Sequence, residues 1–203
     1  MNRVASQVAS QVASRLVASH VRLRAAVLCA AALAALLAAP GAASGQQLYT
    51  FTLSAAGGVG GSLDADPGDE ITLGSYQLGA AIVTEPRTLV GLRYGRIGFD
   101  GDEPLESLFD ADLTYLTLAG EYKFDQTFYE GGMYVGVGGY RLEGVDALGA
   151  AQDDTSFGLA IGVTGEFPIT RRIGIAVEFA GHYTDLDQAQ LFATGLAGVA
   201  LHF

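Results

Sequence analysis

From residue 47 onward, apolar and polar residues alternate with period two. The pattern breaks into eight segments, at 47–60, 71–84, 88–99, 113–124, 128–141, 155–167, 173–184 and 191–203. This is the period of a strand with one greasy face. In the sixth segment Phe157, Leu159, Ile161, Val163 and Phe167 alternate with Gly158, Ala160, Gly162, Thr164 and Glu166. In the eighth, Leu191, Ala193, Gly195, Ala197, Val199, Leu201 and Phe203 form one phase, and small, partly polar residues form the other. In the third, Arg96 continues the apolar phase while Ile97 and Phe99 fall on the other. Two explanations stand: a bulge near Gly95 that resets the register, or an Arg96 already at headgroup level.

The connections predict a polarity. Those after the second, fourth and sixth segments are short: Glu85-Pro86-Arg87, Asp125-Gln126-Thr127 and residues 168–172. The others, 64–70, 100–112, 143–154 and 185–190, are mostly longer and hold 16 of the 22 acidic residues. Short turns on one side and long loops on the other are the asymmetry of an outer-membrane barrel.

The minor phase is rich in Gly, Ala, Ser and Thr and carries Arg93, Glu121, Lys123, Glu166, Glu178 and His182. Eight strands enclose room only for side chains, so such residues suit the lumen. The apolar phase then faces lipid, with aromatics at its ends. Tyr49, Tyr122, Phe124, Tyr129, Phe167 and Phe203 mark the turn side, and Phe99, Phe157 and Tyr183 the loop side. The predicted fold is all-β, an eight-stranded antiparallel up-and-down transmembrane barrel over 46–203. Closing the sheet pairs every backbone group, as lipid requires.

Residues 1–45 read differently. A near-repeat of Val-Ala-Ser units over 4–20 is low-complexity sequence. An unbroken apolar run over 25–39 then follows Arg22 and Arg24 and precedes Pro40 and small residues. This is the layout of a secretory signal peptide, and the run is short for a spanning helix. Cys29, the single cysteine, lies inside the run after Leu28, where a lipoprotein would want a small residue. Past residue 45 there are seven basic and 22 acidic residues, a net of −15, which disfavours a nucleic-acid partner.

A strand ending on an aromatic residue resembles the terminal assembly signal of bacterial outer-membrane barrels. Gly198, Leu201 and Phe203 match its spacing, and Leu196 departs from it where the family prefers a polar residue. The stretch Asp154-Thr155-Ser156-Phe157-Gly158, Gly162-Val163-Thr164-Gly165-Glu166-Phe167, Thr170-Arg171 and Glu178 closely resembles the small outer-membrane β-barrel domain family, the OmpA/OmpX-like proteins. The resemblance covers about residues 47–203. It implies fold and location, with lipid, lipopolysaccharide and the barrel assembly machinery as partners. It says little about function, since the family spans adhesins, resistance factors and small pores.

Several clusters could carry chemistry. The inward ionisable set forms either a polar path with a gate or a lumen-plugging network, in which Arg93 should pair with Glu121 or Glu178. His182 raises a lipid A deacylase, but Thr184 stands where a nucleophilic serine is wanted, so no enzyme is implied. Asp64, Asp66, Asp69 and Glu70, and again Asp100, Asp102 and Glu103, are Ca²⁺ candidates by composition. Neither set matches an EF-hand, and solvated loop charge or cation bridging to lipopolysaccharide phosphate accounts for them equally. Leu105, Leu108 and Phe109 form either an apolar contact surface or a short helix over the rim. No cofactor is implied. The reading is a structural or surface-interaction protein with loops 1 to 3 as contact region; the alternatives are a small gated pore and a lipid A-modifying enzyme.

Overall fold

A computed structural model describes residues 50–64, 72–99, 105 and 108–203. The leader and signal-peptide reading, Tyr49, and the candidates Asp66, Asp69, Glu70, Asp100, Asp102 and Glu103 lie outside the described residues. Among the described residues the regular elements are eight strands: β1 (Phe51–Ser62), β2 (Thr72–Glu85), β3 (Thr88–Phe99), β4 (Phe109–Asp125), β5 (Glu130–Val145), β6 (Ala151–Pro168), β7 (Ile173–Thr184) and β8 (Leu191–His202). Each pairs antiparallel with its neighbours in sequence, and β8 pairs with β1, so the sheet closes.

Period-two alternation separates the faces. Leu78, Leu92, Leu118, Ile161 and Phe179 on the outer face are each more than half exposed. Residues of the other phase, such as Gln77, Thr117, Ala160 and Thr194, are buried. An apolar surface wrapped around a closed barrel far exceeds the isolated patches of soluble monomers.

The third strand holds its phase. Its register with β4 runs unshifted from Thr88↔Tyr122 to Phe99↔Ala111, so no bulge resets it on that side. Arg96 stays outside, bonded to Asp112 through Nε at 2.8 Å and through Nη2. Ile97 and Phe99 stay inside. Phe99 therefore does not belong to the outer aromatic belt. It is buried, with its ring centroid 6.0 Å from that of Phe192. The cause is a change in the inward phase, which turns apolar towards the loop end. Ile97, Phe99, Leu113, Leu142 and Phe192 meet Leu186 of loop 4 in one buried cluster.

That cluster also corrects the reading of loop 2. Leu105 and Leu108 are buried in it and form a β-bridge with each other, rather than a helix or an exposed contact surface. Only Phe109 of the three is exposed. An apolar barrel mouth offers the two leucines more burial than solvent does. The third long loop is also shorter than its composition suggests. β5 and β6 pair as far as Val145↔Ala151, which leaves residues 146–150 as the turn. Arg141 joins Glu143 and Asp153 across this extension, at 2.8 Å each, so charges that read as loop sit on a paired ladder.

Candidate functional site: the lumen

Six strands, β2 to β7, meet in a first polar network inside the barrel. Arg93 on β3 donates from Nη2 to Glu121 Oε2 of β4 at 2.8 Å, and its Nε lies 3.7 Å from Glu178 Oε2 of β7. The guanidinium carbon sits 3.6 Å from the centre of the Tyr134 ring. Around this core every carboxylate oxygen is engaged. Tyr134 donates to Glu178 Oε1 at 2.7 Å and Gln77 Nε2 donates to Oε2 at 3.0 Å. Thr164 donates to Glu121 Oε1 at 2.7 Å. Tyr115 passes the chain on by donating to Gln77 Oε1 at 3.0 Å. Charges this deep are tolerated only when paired and fully bonded.

Nearer the short turns a second group forms. Lys123 Nζ lies 2.7 Å from Glu130 and 3.2 Å from Glu166. Glu166 Oε1 also meets His202 Nε2, and Nδ1 of that ring lies 3.1 Å from Thr52 Oγ1. The residue before the last thus ties β8 to β6 across the lumen and to β1 beside it. Between the two groups lies a cavity of about 80 Å³, touched by Arg93, Glu121, Lys123, Glu166 and Glu178.

His182 is not part of either group. It sits above them, with its ring 4.7 Å from Tyr115 and its Nδ1 3.1 Å from the Tyr140 hydroxyl. Thr184 Oγ1 is directed at the Ala189 carbonyl at 3.4 Å. The lumen is therefore stacked in three layers: charged at the turn side, aromatic with His182 in the middle, and apolar at the loops.

The other candidates separate. Phe203 closes the sheet, its N–H donating to Phe51 O at 2.9 Å and its carbonyl accepting from Thr50 and Phe51 at 2.8 and 3.2 Å. Its ring lies 6.2 Å from that of Phe51. Leu201 faces outward, and Gly198 pairs with Ala56, with the Ala55 carbonyl 2.0 Å from where a Cβ would stand. Asp64 is used as a loop clamp. It accepts from Ser62 Oγ at 2.9 Å and from the N–H groups of Gln190 and Leu191 at 2.8 and 3.2 Å. Among the described residues no group of three His, Cys, Asp or Glu side chains could hold a metal ion.

Sequence reasoning passed over His202 and Gln77 as site residues. Both fall on the inward phase, and parity alone would have put His202 within reach of the acids. A closed barrel of eight antiparallel strands with an apolar exterior and a polar interior is the architecture of small outer-membrane barrels, and this chain has that fold. Neisserial surface protein A is 16% identical, with a TM-score of 0.57 over 79% of this chain and all of that one. A major outer-membrane protein of Thermus thermophilus is 15% identical, with a TM-score of 0.58 over 77% of this chain and all of that one. The N-terminal β-barrel domain of Pseudomonas aeruginosa OprF is 16% identical, with a TM-score of 0.53 over 79% and 100%. No family model matches the chain, and no curated protein matches it either.

Proposed function

We propose that this protein is an outer-membrane barrel of structural or surface-interaction type, with acidic loops outside the cell and a lumen plugged by its own side chains. The observation that carries this reading is the stack of layers. A solute entering from the turns meets the Lys123–Glu166–His202 group, then the Arg93–Glu121–Glu178 network, then Tyr115, Tyr140 and His182, then the cluster of Ile97, Leu105, Leu108 and Phe192. Water does not thread an apolar plug packed at protein density. The similar fold of Ail, described as an attachment invasion locus protein of Yersinia pestis, is compatible with a surface role (TM-score 0.51, 15% identity).

The pore is the second reading, and the small cavity of about 80 Å³ among the lumen charges favours it, because it leaves some polar space inside the barrel. Planar-bilayer recording of the purified barrel tests the choice. A silent membrane supports the plugged barrel, and reproducible unitary steps support the pore. A lipid-modifying activity has less support: His182 faces the lumen under two tyrosines, away from the lipid-facing surface.

A further inference from the structure

The inner face of β1 is bare towards its loop end, where the inward positions are Gly58 and Gly60. Two hydroxyls flank that bare stretch. On β8, Thr194 stands directly opposite Gly60, and on β2, Ser75 stands opposite Gly58. The register of β1 with β2 shifts between Gly58 and Gly60, and a bulge re-aims the side chains beside it. Ser75 Oγ leans over Gly60, into the place that a Cβ of residue 60 would take. Ser75 is 4% exposed and Thr194 5%, yet neither hydroxyl has a hydrogen-bond partner, and the two do not bond each other. The walls around them are apolar. Ile97 Cγ2 lies 2.8 Å from the same Cβ place, and the buried Leu196 stands opposite Gly58 on β8.

We infer a binding site for one water molecule between Ser75 Oγ and Thr194 Oγ1, joining β2 to β8 over the inner face of Gly60. The span fits. Directly opposite positions hold their Cβ atoms about 5 Å apart, and Ser75 Oγ occupies the Cβ place of Gly60 opposite Thr194. A water bonded to two oxygens covers a gap of up to about 5.5 Å. The chemistry also fits. Each hydroxyl both donates and accepts, as a water does, and two polar partners are enough for a buried water. Left without partners, two buried hydroxyls would each carry an uncompensated desolvation cost. The water supplies a tie that β1 lacks at the seam where the barrel closes. There β1 presents no side chain to the lumen, and the strands on either side of it are fastened to each other across it. This site goes beyond the surface role proposed above and requires only the closed barrel.

Thr194→Val keeps the shape of the side chain and removes the hydroxyl, so the sign of its effect is the test. With a bridging water the change strands Ser75 Oγ, and the folding equilibrium constant is expected to fall about fivefold in urea unfolding from lipid vesicles. With two hydroxyls that bind nothing, the change removes a cost and the constant rises. Thr194→Ser keeps the hydroxyl and is expected to keep most of the stability. Ser75→Ala combined with Thr194→Val removes both ends of the bridge and is expected to cost no more than either change alone, because replacing both partners by apolar groups is nearly neutral. If Thr194→Val does not fold, Ser75→Ala carries the same test of sign. A crystal structure of the unaltered barrel reads the water directly, as density between Ser75 Oγ and Thr194 Oγ1. A rise in stability with Thr194→Val overturns the site. So does an equal loss with Thr194→Ser, a double variant whose costs simply add, or a parent barrel with no density between the two oxygens.

Discussion

Arg93 is the residue whose loss should cost most. It neutralises two buried carboxylates at once, Glu121 at 2.8 Å and Glu178 at 3.7 Å, and its own side chain is only 13% exposed. Replacing it with methionine keeps most of the volume and strands two negative charges. Breaking a buried pair by removing one partner costs about 3–5 kcal/mol. The lower end applies here, because Tyr134, Gln77 and Thr164 still donate to the stranded oxygens. A loss of about 3 kcal/mol lowers the folding equilibrium constant about a hundredfold. The triple change Arg93→Met, Glu121→Gln and Glu178→Gln removes both signs and should return to within about 1 kcal/mol of the parent, since well-packed neutral replacements of buried ion pairs are often neutral. The assay is urea unfolding of the barrel in lipid vesicles, followed by tyrosine fluorescence and by gel mobility of unboiled samples, with midpoint and slope fitted together. The argument fails if Arg93→Met costs less than about 1 kcal/mol, or if the triple variant is as unstable as the single one.

Further outcomes follow from single contacts. Gly95→Ala places a Cβ 2.3 Å from the Tyr115 ring, so the ring must leave its bond to Gln77. A loss of about 1–3 kcal/mol is expected, and adding Tyr115→Leu should recover part of it in a double-mutant cycle. Arg87 occupies the second corner of the β2–β3 turn after Pro86 with φ of 84°, a conformation that favours glycine. Arg87→Gly should stabilise the barrel by about 1 kcal/mol in the same urea titration, since the Asp125 contact given up is a half-exposed 3.7 Å pair. Asp146, in the turn between β5 and β6, accepts from the N–H groups of Ala150 and Leu148 at 2.9 and 2.8 Å. These bonds, that of Ala150 first, hold its carboxyl below its ordinary pKa. A depressed carboxylate stabilises above its unfolded pKa and loses that contribution as pH falls through the folded value. Protection of the Leu148 and Ala150 amides from hydrogen exchange should therefore hold at pH 5 and fade below roughly pH 4, and Asp146→Ala should remove that pH dependence.

Period two in the sequence sufficed for the strand count, the pairing order and the two faces, because a one-residue slip would turn every outer Leu and Val inward. β3 and β7 begin and end where alternation begins and ends. The hairpin of β5 and β6 did not, because Glu143 and Asp153 look like loop composition. Their pairing across strands becomes visible only once the register brings Glu143 opposite Asp153 with Arg141 beside them. Charge counts along the chain do not reveal which acid a base will meet. The candidate site divided in the same way. Parity put Arg93, Glu121, Lys123, Glu166 and Glu178 inside, but the split into an Arg93 group and a Lys123 group depends on depth along tilted strands. His202 escaped notice for the same reason, since its partner Glu166 is 36 residues away in sequence.

The apparent irregularity of β3 has the widest consequence. Ile97 and Phe99 were read as a broken pattern, whereas they mark the depth at which the lumen changes from polar to apolar. That change determines how the loops are held. Leu105 and Leu108 of loop 2 and Leu186 of loop 4 are anchored from inside the barrel, while Asp64 and Asp154 clamp the backbone of loop 4 from outside, at Gln190 and at Asp187. Loop ends fastened to a buried apolar cluster keep their entry angles whatever their tips carry. Substitutions of acidic tip residues should therefore alter what the surface attracts without moving the barrel's gel mobility. Leu186→Asp places a charge among fully buried side chains and should release both loops together. If Leu186→Asp leaves protease sensitivity of loop 2 unchanged, the two loops are not held by one cluster and the inner plug is not what positions the surface.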